Sequence, residues 1–283
     1  MTIRRRHALV RRGVLLLPLV SLLVLPPRAS MGAQPPAGAA QAPPPLPVTP
    51  KVPTSHAGLF AERDARAVAA IGYLRCFQGA VTALRTGALG QVPTGWSIAC
   101  LQQGREWRAV FGELTEEAPG FAVRRQLALR GDGAVVTDPV DTARAGGVAR
   151  ALLRGLSAPV PGRGVAEFVP LVLHQGTYTE VWFLSPPADP ARVAVGGDSL
   201  IQMNKEGLRE LGHSKRTPPV RLVSVPTTGE RWTLGSAEVT LPLLSELMVA
   251  HMAADLIPEV TVRTQRYEST WSRRTGRWTH RRR

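Results

Sequence analysis

His251 is the side chain whose neighbours best equip it for acid–base chemistry. It shares a helical repeat with Leu244, Leu247 and Met248, and Asp255 follows four residues on. A histidine beside a carboxylate can move a proton or ligate a metal. His-x-x-x-Asp supplies at most two ligands, so neither a metal site nor a cofactor is expected. The alternative for His251 is a core histidine bonded to backbone. Gly95-Trp96-Ser97-Ile98-Ala99 is one residue from the Gly-x-Ser-x-Gly nucleophile elbow. That elbow needs a strand before the serine and a helix after it, and Pro93-Thr94 and Cys100 give neither. Gly196-Gly197-Asp198 would cradle phosphate if it led into a helix N-terminus. A strand pattern follows it, so a turn or bulge is expected.

Two further groups have chemical potential. Arg273, Arg274, Arg277, Trp278, Arg281, Arg282 and Arg283 mix guanidinium with indole near the C-terminus. Such a segment could hold anionic lipid or polysaccharide. Its plainer alternative is a last hairpin with packed tryptophans and solvated arginines. Cys76 and Cys100 are the two cysteines. An even count in an exported chain favours a disulfide, here from a helix to the loop after it. The alternative is two buried thiols.

The elements that must position these groups read as follows. Phe60, Val68, Ile71, Leu74, Phe77, Val81 and Leu84 form one stripe of a long helix over 57–86, closed by Gly87 and Gly90. Trp107–Leu114 and Phe121–Arg130 read as strands, with Gly131-Asp132-Gly133 as a hairpin turn and a return strand from Ala134. A second helix is expected over 141–157, capped by Asp141 and weakened by Gly146-Gly147. Short strand-like runs follow at 168–174, 178–184, 199–203, 208–211, 220–225 and 232–234. A third helix is expected from Pro242 to Ala254, then a strand over 260–267 and a hairpin around Thr275-Gly276. Strands so close together imply antiparallel pairing. The expected class is α+β: antiparallel sheets with a long N-terminal helix and two shorter ones.

Trp-Arg-Ala-Val-Phe at 107–111, Phe121–Arg130, Asp132-Gly133 and Val135, preceded by the long helix, resemble PepSY-type modules of secreted bacterial proteins. The resemblance covers about residues 57–137. It implies a helix followed by a small antiparallel sheet, and a non-catalytic, protein-interacting or inhibitory role. Thr275-Gly276 before Arg277-Trp278 echoes the same turn.

Composition sets the surroundings. Arg4, Arg5, Arg6, Arg11 and Arg12 precede an apolar run from Val14 to Leu25, and small residues follow Pro26-Pro27. That order is a secretory signal peptide over 1–33, with cleavage expected near Ala33. The run is short of the roughly 20 residues of a spanning helix, so a retained anchor is the lesser reading and no transmembrane segment is expected after cleavage. Residues 34–53 hold eight prolines and form a Pro/Ala-rich disordered spacer. The formal charge of +14 is concentrated at the ends: six arginines lie in 1–33 and eight in 263–283. Residues 34–262 carry 21 basic and 20 acidic side chains, which disfavours a nucleic-acid face. The rest divides at the turn-rich 159–164 into a helix-plus-sheet module, 54–158, and a sheet-rich half, 159–283, or forms one continuous domain. The expectation is an exported, periplasmic interaction protein, more binding module than enzyme. Its partner would be a protein or an anionic envelope polymer or lipid. Alternatives are a small hydrolase using His251 and Asp255, and an envelope-surface binder acting through the arginine–tryptophan segment.

Overall fold

The computed structural model describes residues 54–115, 120–128, 136–157, 169–185, 192–214, 218–226 and 228–283. The signal segment, the spacer, the turn at 131–133 and the boundary at 159–164 lie outside them. Helix α1, Thr54–Arg85, comes first. Strands β1 (Ser97–Gln103), β2 (Glu106–Leu114) and β3 (Phe121–Ala128) form an antiparallel sheet in that order. Helix α2, Thr142–Ser157, precedes β4 (Val169–His174), β5 (Tyr178–Leu184), β6 (Arg192–Val195), β7 (Ser199–Asn204) and β8 (Glu210–His213). The second sheet runs β4-β5-β7-β8, while β6 pairs with β9 (Arg221–Ser224). Last come β10 (Arg231–Gly235), α3 (Leu244–Ala254), β11 (Glu259–Arg263), β12 (Tyr267–Ser272) and β13 (Arg277–Arg282), with the four strands in that order in one sheet. The class is α+β, with a long N-terminal helix and two shorter ones.

Each helix has a local reason to start or stop. Alanine is the strongest helix former, and α1 is rich in it. Its end is a Schellman motif: Ala88 N–H donates to the Ala83 carbonyl at 3.0 Å and Gly87 N–H to that of Leu84 at 3.3 Å. Gly87 takes φ +71°, which a side chain would resist. Asp141 caps α2, its Oδ1 accepting the Arg144 N–H at 3.0 Å, a contact worth about 1 kcal/mol. In α3 the buried Glu246 accepts the Leu243 N–H at 2.9 Å.

Three sequence expectations need correction. First, α1 buries Phe60, Ala67, Ala70, Tyr73, Cys76 and Ala80, and leaves Val68 52% exposed. The small residues win because α3 and the strands come close to this helix, and alanine admits them where valine would not. Second, the strand expected over 260–267 breaks after Arg263, where Thr264 turns the chain by accepting the Tyr267 N–H on its hydroxyl. Third, β10 and β11 are parallel, with α3 as the crossover between them. The buried core runs on from Phe60, Val110 and Val148 to Leu171, Leu247 and Val260, so it crosses residue 158 without a break.

Gly146-Gly147 has a packing reason that the sequence reading lacked. A Cβ on Gly147 would collide with the Lys205 carbonyl oxygen in the β7–β8 turn. Gly207 in that turn, at φ +69°, is bound by the same approach: a Cβ there would collide with the Gly147 carbonyl oxygen. Gly147→Ala would add about 1 kcal/mol of helix propensity but push two backbones apart, at about 1–3 kcal/mol or more. The expected result is a lower melting temperature, by roughly 2–4 °C per kcal/mol for a chain of this size. A higher melting temperature in calorimetry would show that α2 can shift away freely.

Candidate functional site

The first two sheets present edge strands, β1 and β4, to a shared space under α1 and the start of α2. A cleft of about 350 Å³ opens there, lined by Arg66, Trp107, Arg144, His174 and Tyr178 among others. Roughly 300–1,000 Å³ is usual for small-molecule sites. Trp107 is fixed by Gly72, since its indole occupies the place a Cβ would take. It also meets Tyr73 edge-on, at 6.1 Å and 88°.

Arg66 is the anchored cation of the cleft. Its Nε donates to Glu180 Oε1 at 3.2 Å, and its Nη2 to the Tyr178 hydroxyl at 3.4 Å and Glu62 Oε1 at 2.9 Å. Burial opposes its charge, but Glu180, Tyr178 and Glu62 outweigh that and raise its pKa. Glu180 is 1% exposed and also accepts the Trp182 indole N–H at 2.9 Å. Arg144 is different. Its Nε is buried with no hydrogen-bond partner among the described residues. Burial draws its guanidinium below the ordinary value, with Asp141 opposing. His174 is likewise drawn down by burial and then by Arg144, so the neutral imidazole is favoured. The sequence reading missed every one of these side chains. A signal was available at Arg144: a cation in a helix's first turn opposes the helix dipole.

His251 stands elsewhere, between α1 and the last sheet. Its Nε2 lies 2.7 Å from Asp64 Oδ1, and the Trp278 indole N–H donates to the same oxygen at 3.0 Å. Trp271 and Trp278 both meet the imidazole, each at 5.9 Å. The carboxylate the structure sets against this nitrogen is thus Asp64, 187 residues away. Asp255 is exposed at the helix C-cap, 3.6 Å from Arg75. Beside this cluster, His56 stacks on Tyr267 at 3.6 Å, His280 meets Phe60 at 4.5 Å, and Ser269 Oγ lies 2.8 Å from His280 Nδ1. Ser269 is 2% exposed, which keeps this serine–histidine pair away from any substrate.

The remaining candidates have structural placements. Ser97 opens β1 and leads into strand, not helix. Asp198 reaches the start of α3, where it accepts the Ser245 N–H at 2.9 Å and hydroxyl at 2.5 Å. Ser245 Oγ in turn accepts the Gly196 N–H at 2.9 Å, so Gly196-Gly197-Asp198 pins a helix. In the C-terminal segment Arg273 donates to the Ala254 carbonyl at the end of α3. Arg281 pairs with Glu268 at 2.6 Å, and Arg283 donates to the Thr264 carbonyl at 3.1 Å. Arg274, Arg277 and Arg282 are exposed and unpaired among the described residues. Cys76 and Cys100 are free, buried thiols 2.6 Å apart, and Cys100 lies on a strand where a loop was expected. Burial holds the Cys100 thiol well above its ordinary pKa. Among the described residues no three His, Cys, Asp or Glu side chains gather as a metal site.

No protein family, curated protein or solved structure matches this chain. Residues 55–85 are long and apolar enough to cross a membrane by length and composition. In the fold they bury a face against α3 and the strands.

The histidine cluster makes docking of the last hairpin sensitive to acid. Burial lowers the pKa of His56 and of His280; His280 adds to the effect at His56, and Asp64 partly offsets it at His280. A histidine with a depressed folded pKa is protonated first in the unfolded chain. The stability these two histidines contribute is therefore complete above about pH 6.5 and falls as the pH drops below it. Thermal unfolding followed by tryptophan fluorescence should shift down between pH 7 and pH 5, and less so in a His56→Gln/His280→Gln variant. An equal shift in that variant would place the acid response elsewhere.

Proposed function

We propose that this chain is an exported, non-enzymatic binding protein whose ligand site is the cleft between β1 and β4. The observation that carries the reading is convergence. Arg66, Arg144, His174, Tyr178 and Trp107 come from five elements and line one space. Such convergence of a few polar groups on a concave surface is the mark of a binding site. The non-enzymatic part is supported by His251, whose ring nitrogen is committed to Asp64 between two tryptophans, outside the cleft lining. Export is supported by the basic, apolar and small-residue order of 1–33. The α1-β1-β2-β3 order fits the PepSY-type reading of 57–137 and a protein-interacting role. Arg274, Arg277 and Arg282 are what the fold leaves for an anionic envelope surface. The adjacent buried thiols of Cys76 and Cys100 are suited to close as a disulfide in an oxidising compartment.

Two experiments check this. The full chain, expressed in a bacterial host, should be recovered from the periplasm or medium starting near residue 34. Unfolded in denaturant, its two cysteines should resist alkylation until a reductant is added. Recovery uncut in the cytosol, or alkylation without reductant, would count against export or the bridge respectively. In a protein-observed NMR screen of small polar metabolites, hits should move the Trp107 indole resonance, and their binding, followed on the ligand signals, should be lost in Trp107→Leu. A screen whose hits all leave that resonance unmoved would remove the cleft as the site.

A further inference from the structure

We propose that the cleft takes a small polar molecule with a single oxyanion, a carboxylate or a phosphate ester, seated on Arg144. The inference rests on the binding reading above and names the chemistry of its ligand. Its starting point is a difference between the two guanidiniums of the cleft. Arg66 is already committed to Glu180, Glu62 and Tyr178, so it positions the wall and has little to offer a ligand. Arg144 makes no side-chain hydrogen bond or ion pair among the described residues, and its Nε is out of water. Arg108 also buries two nitrogens without a partner, and Arg150 one. Each of those is held through another nitrogen, Arg108 by Asp138 at 2.8 Å and Arg150 by the Gly120 carbonyl at 3.1 Å. Arg144 has no such anchor.

The surroundings favour an anion over a neutral or cationic group. Arg144 lies in the first turn of α2, where the helix dipole adds positive potential that the Asp141 cap offsets in part. His174, within electrostatic reach of Arg144, Asp141 and Lys205, has its Nδ1 3.4 Å from the Thr179 hydroxyl and contributes its other imidazole nitrogen rather than negative charge. A guanidinium pairs carboxylate and phosphate oxygens through two parallel N–H donors. Glu62 limits the site to one such group, since its carboxylate already takes the Nη2 of Arg66 at 2.9 Å. Gln102, Gln175 and the Tyr178 hydroxyl line the rest of the space, with Trp107 as its aromatic wall, and suit a polar or ring-bearing remainder.

The test uses three molecules of one shape: benzoate, phenyl phosphate and the neutral benzamide. Calorimetric titration of the mature chain should show binding of at least one anion and none of benzamide. Which anion binds tells a carboxylate ligand from a phosphate ester. Arg144→Gln should weaken that binding about tenfold or more, with Arg144→Lys in between because it keeps the charge and loses the fork. Added salt should weaken it further. The melting temperature of Arg144→Gln should equal or exceed that of the parent, because the half-buried guanidinium keeps its Nε out of water without a partner, which is costly. Benzamide binding as tightly as benzoate, with Trp107 perturbed, would overturn the anion while leaving the cleft a binding site. Absence of binding by both anions, or anion binding untouched in Arg144→Gln, would also overturn it. A further arm is phthalate: binding tenfold above benzoate in the parent would overturn the limit of one oxyanion.

Discussion

A carboxylate buried on a strand has to be neutralised from somewhere, and Glu180 is neutralised from α1. It is 1% exposed, with Arg66 on one oxygen and the Trp182 indole on the other. An unpaired charge at that depth would cost several kcal/mol, about what removing one partner of a buried pair costs. Arg66 thus ties α1 to β5. Two residues back, Asp64 points about 200° around the helix, since each residue turns it by about 100°. There it receives His251 from α3 and Trp278 from β13. One helix thus presents a cation to the second sheet and an anion to the last one, and both are held in place by it.

The same device recurs at the start of α3. Glu246 is fully buried, with Arg221 at 2.6 Å and the Leu243 N–H at 2.9 Å. Asp198 is buried on Ser245, and burial raises its pKa against those hydrogen bonds. Two acids at a helix N-terminus suit the helix dipole. They also tie the Gly196–Asp198 turn and, through Arg221, β9 to the helix. Such buried polar ties set one arrangement over its neighbours more than they add stability. Arg63, drawn down by burial and by Arg66, lies near both Asp198 and Glu180, so the α1 and α3 charge systems meet through it.

Much of this architecture was legible because periodicity survives folding. Phe121–Ala128 forms the strand expected of it, though the bulge opposite Phe111 and Gly112 ends its alternation and buries Gln126, Leu127 and Ala128 together; α2 carries its cap in Asp141, and Thr275-Gly276 turns the final hairpin with Gly276 at φ +62°. The failures have physical causes. The apolar stripe along α1 pointed to Val68, but close packing chose the alanines. Strand β1 was invisible because Ser97–Gln103 has three consecutive buried residues and no alternation. The parallel β10–β11 pair depends on α3 lying across it, which no local pattern encodes. The candidate site was the least legible part. Arg66, Arg144 and Tyr178 lie on three elements, up to 112 residues apart, and each alone reads as an ordinary surface residue. His251 was singled out for its neighbours along the helix, whereas the carboxylate beside its ring comes from α1.

The cleft itself follows from how the fold handles sheet edges. An open edge strand offers unpaired backbone groups and invites association. Here β1 ends the first sheet and β4 ends the second. Helix α1 packs on β1, β2 and β4, and α2 on β1, β3, β4 and β5, so both edges are roofed by the same two helices. Gly147 and Gly155 bring α2 down onto the second sheet, close to Lys205 and Val181, while Gly72 lets Trp107 lie against α1. What remains between the edges is a gap whose walls are strands and whose charges come from helices. Its polar chemistry is therefore set by helix register: Arg66 by its bond to Glu180, and Arg144 by the cap at Asp141. A site built this way keeps its geometry as long as the two helices hold their places, which is what the buried carboxylates ensure.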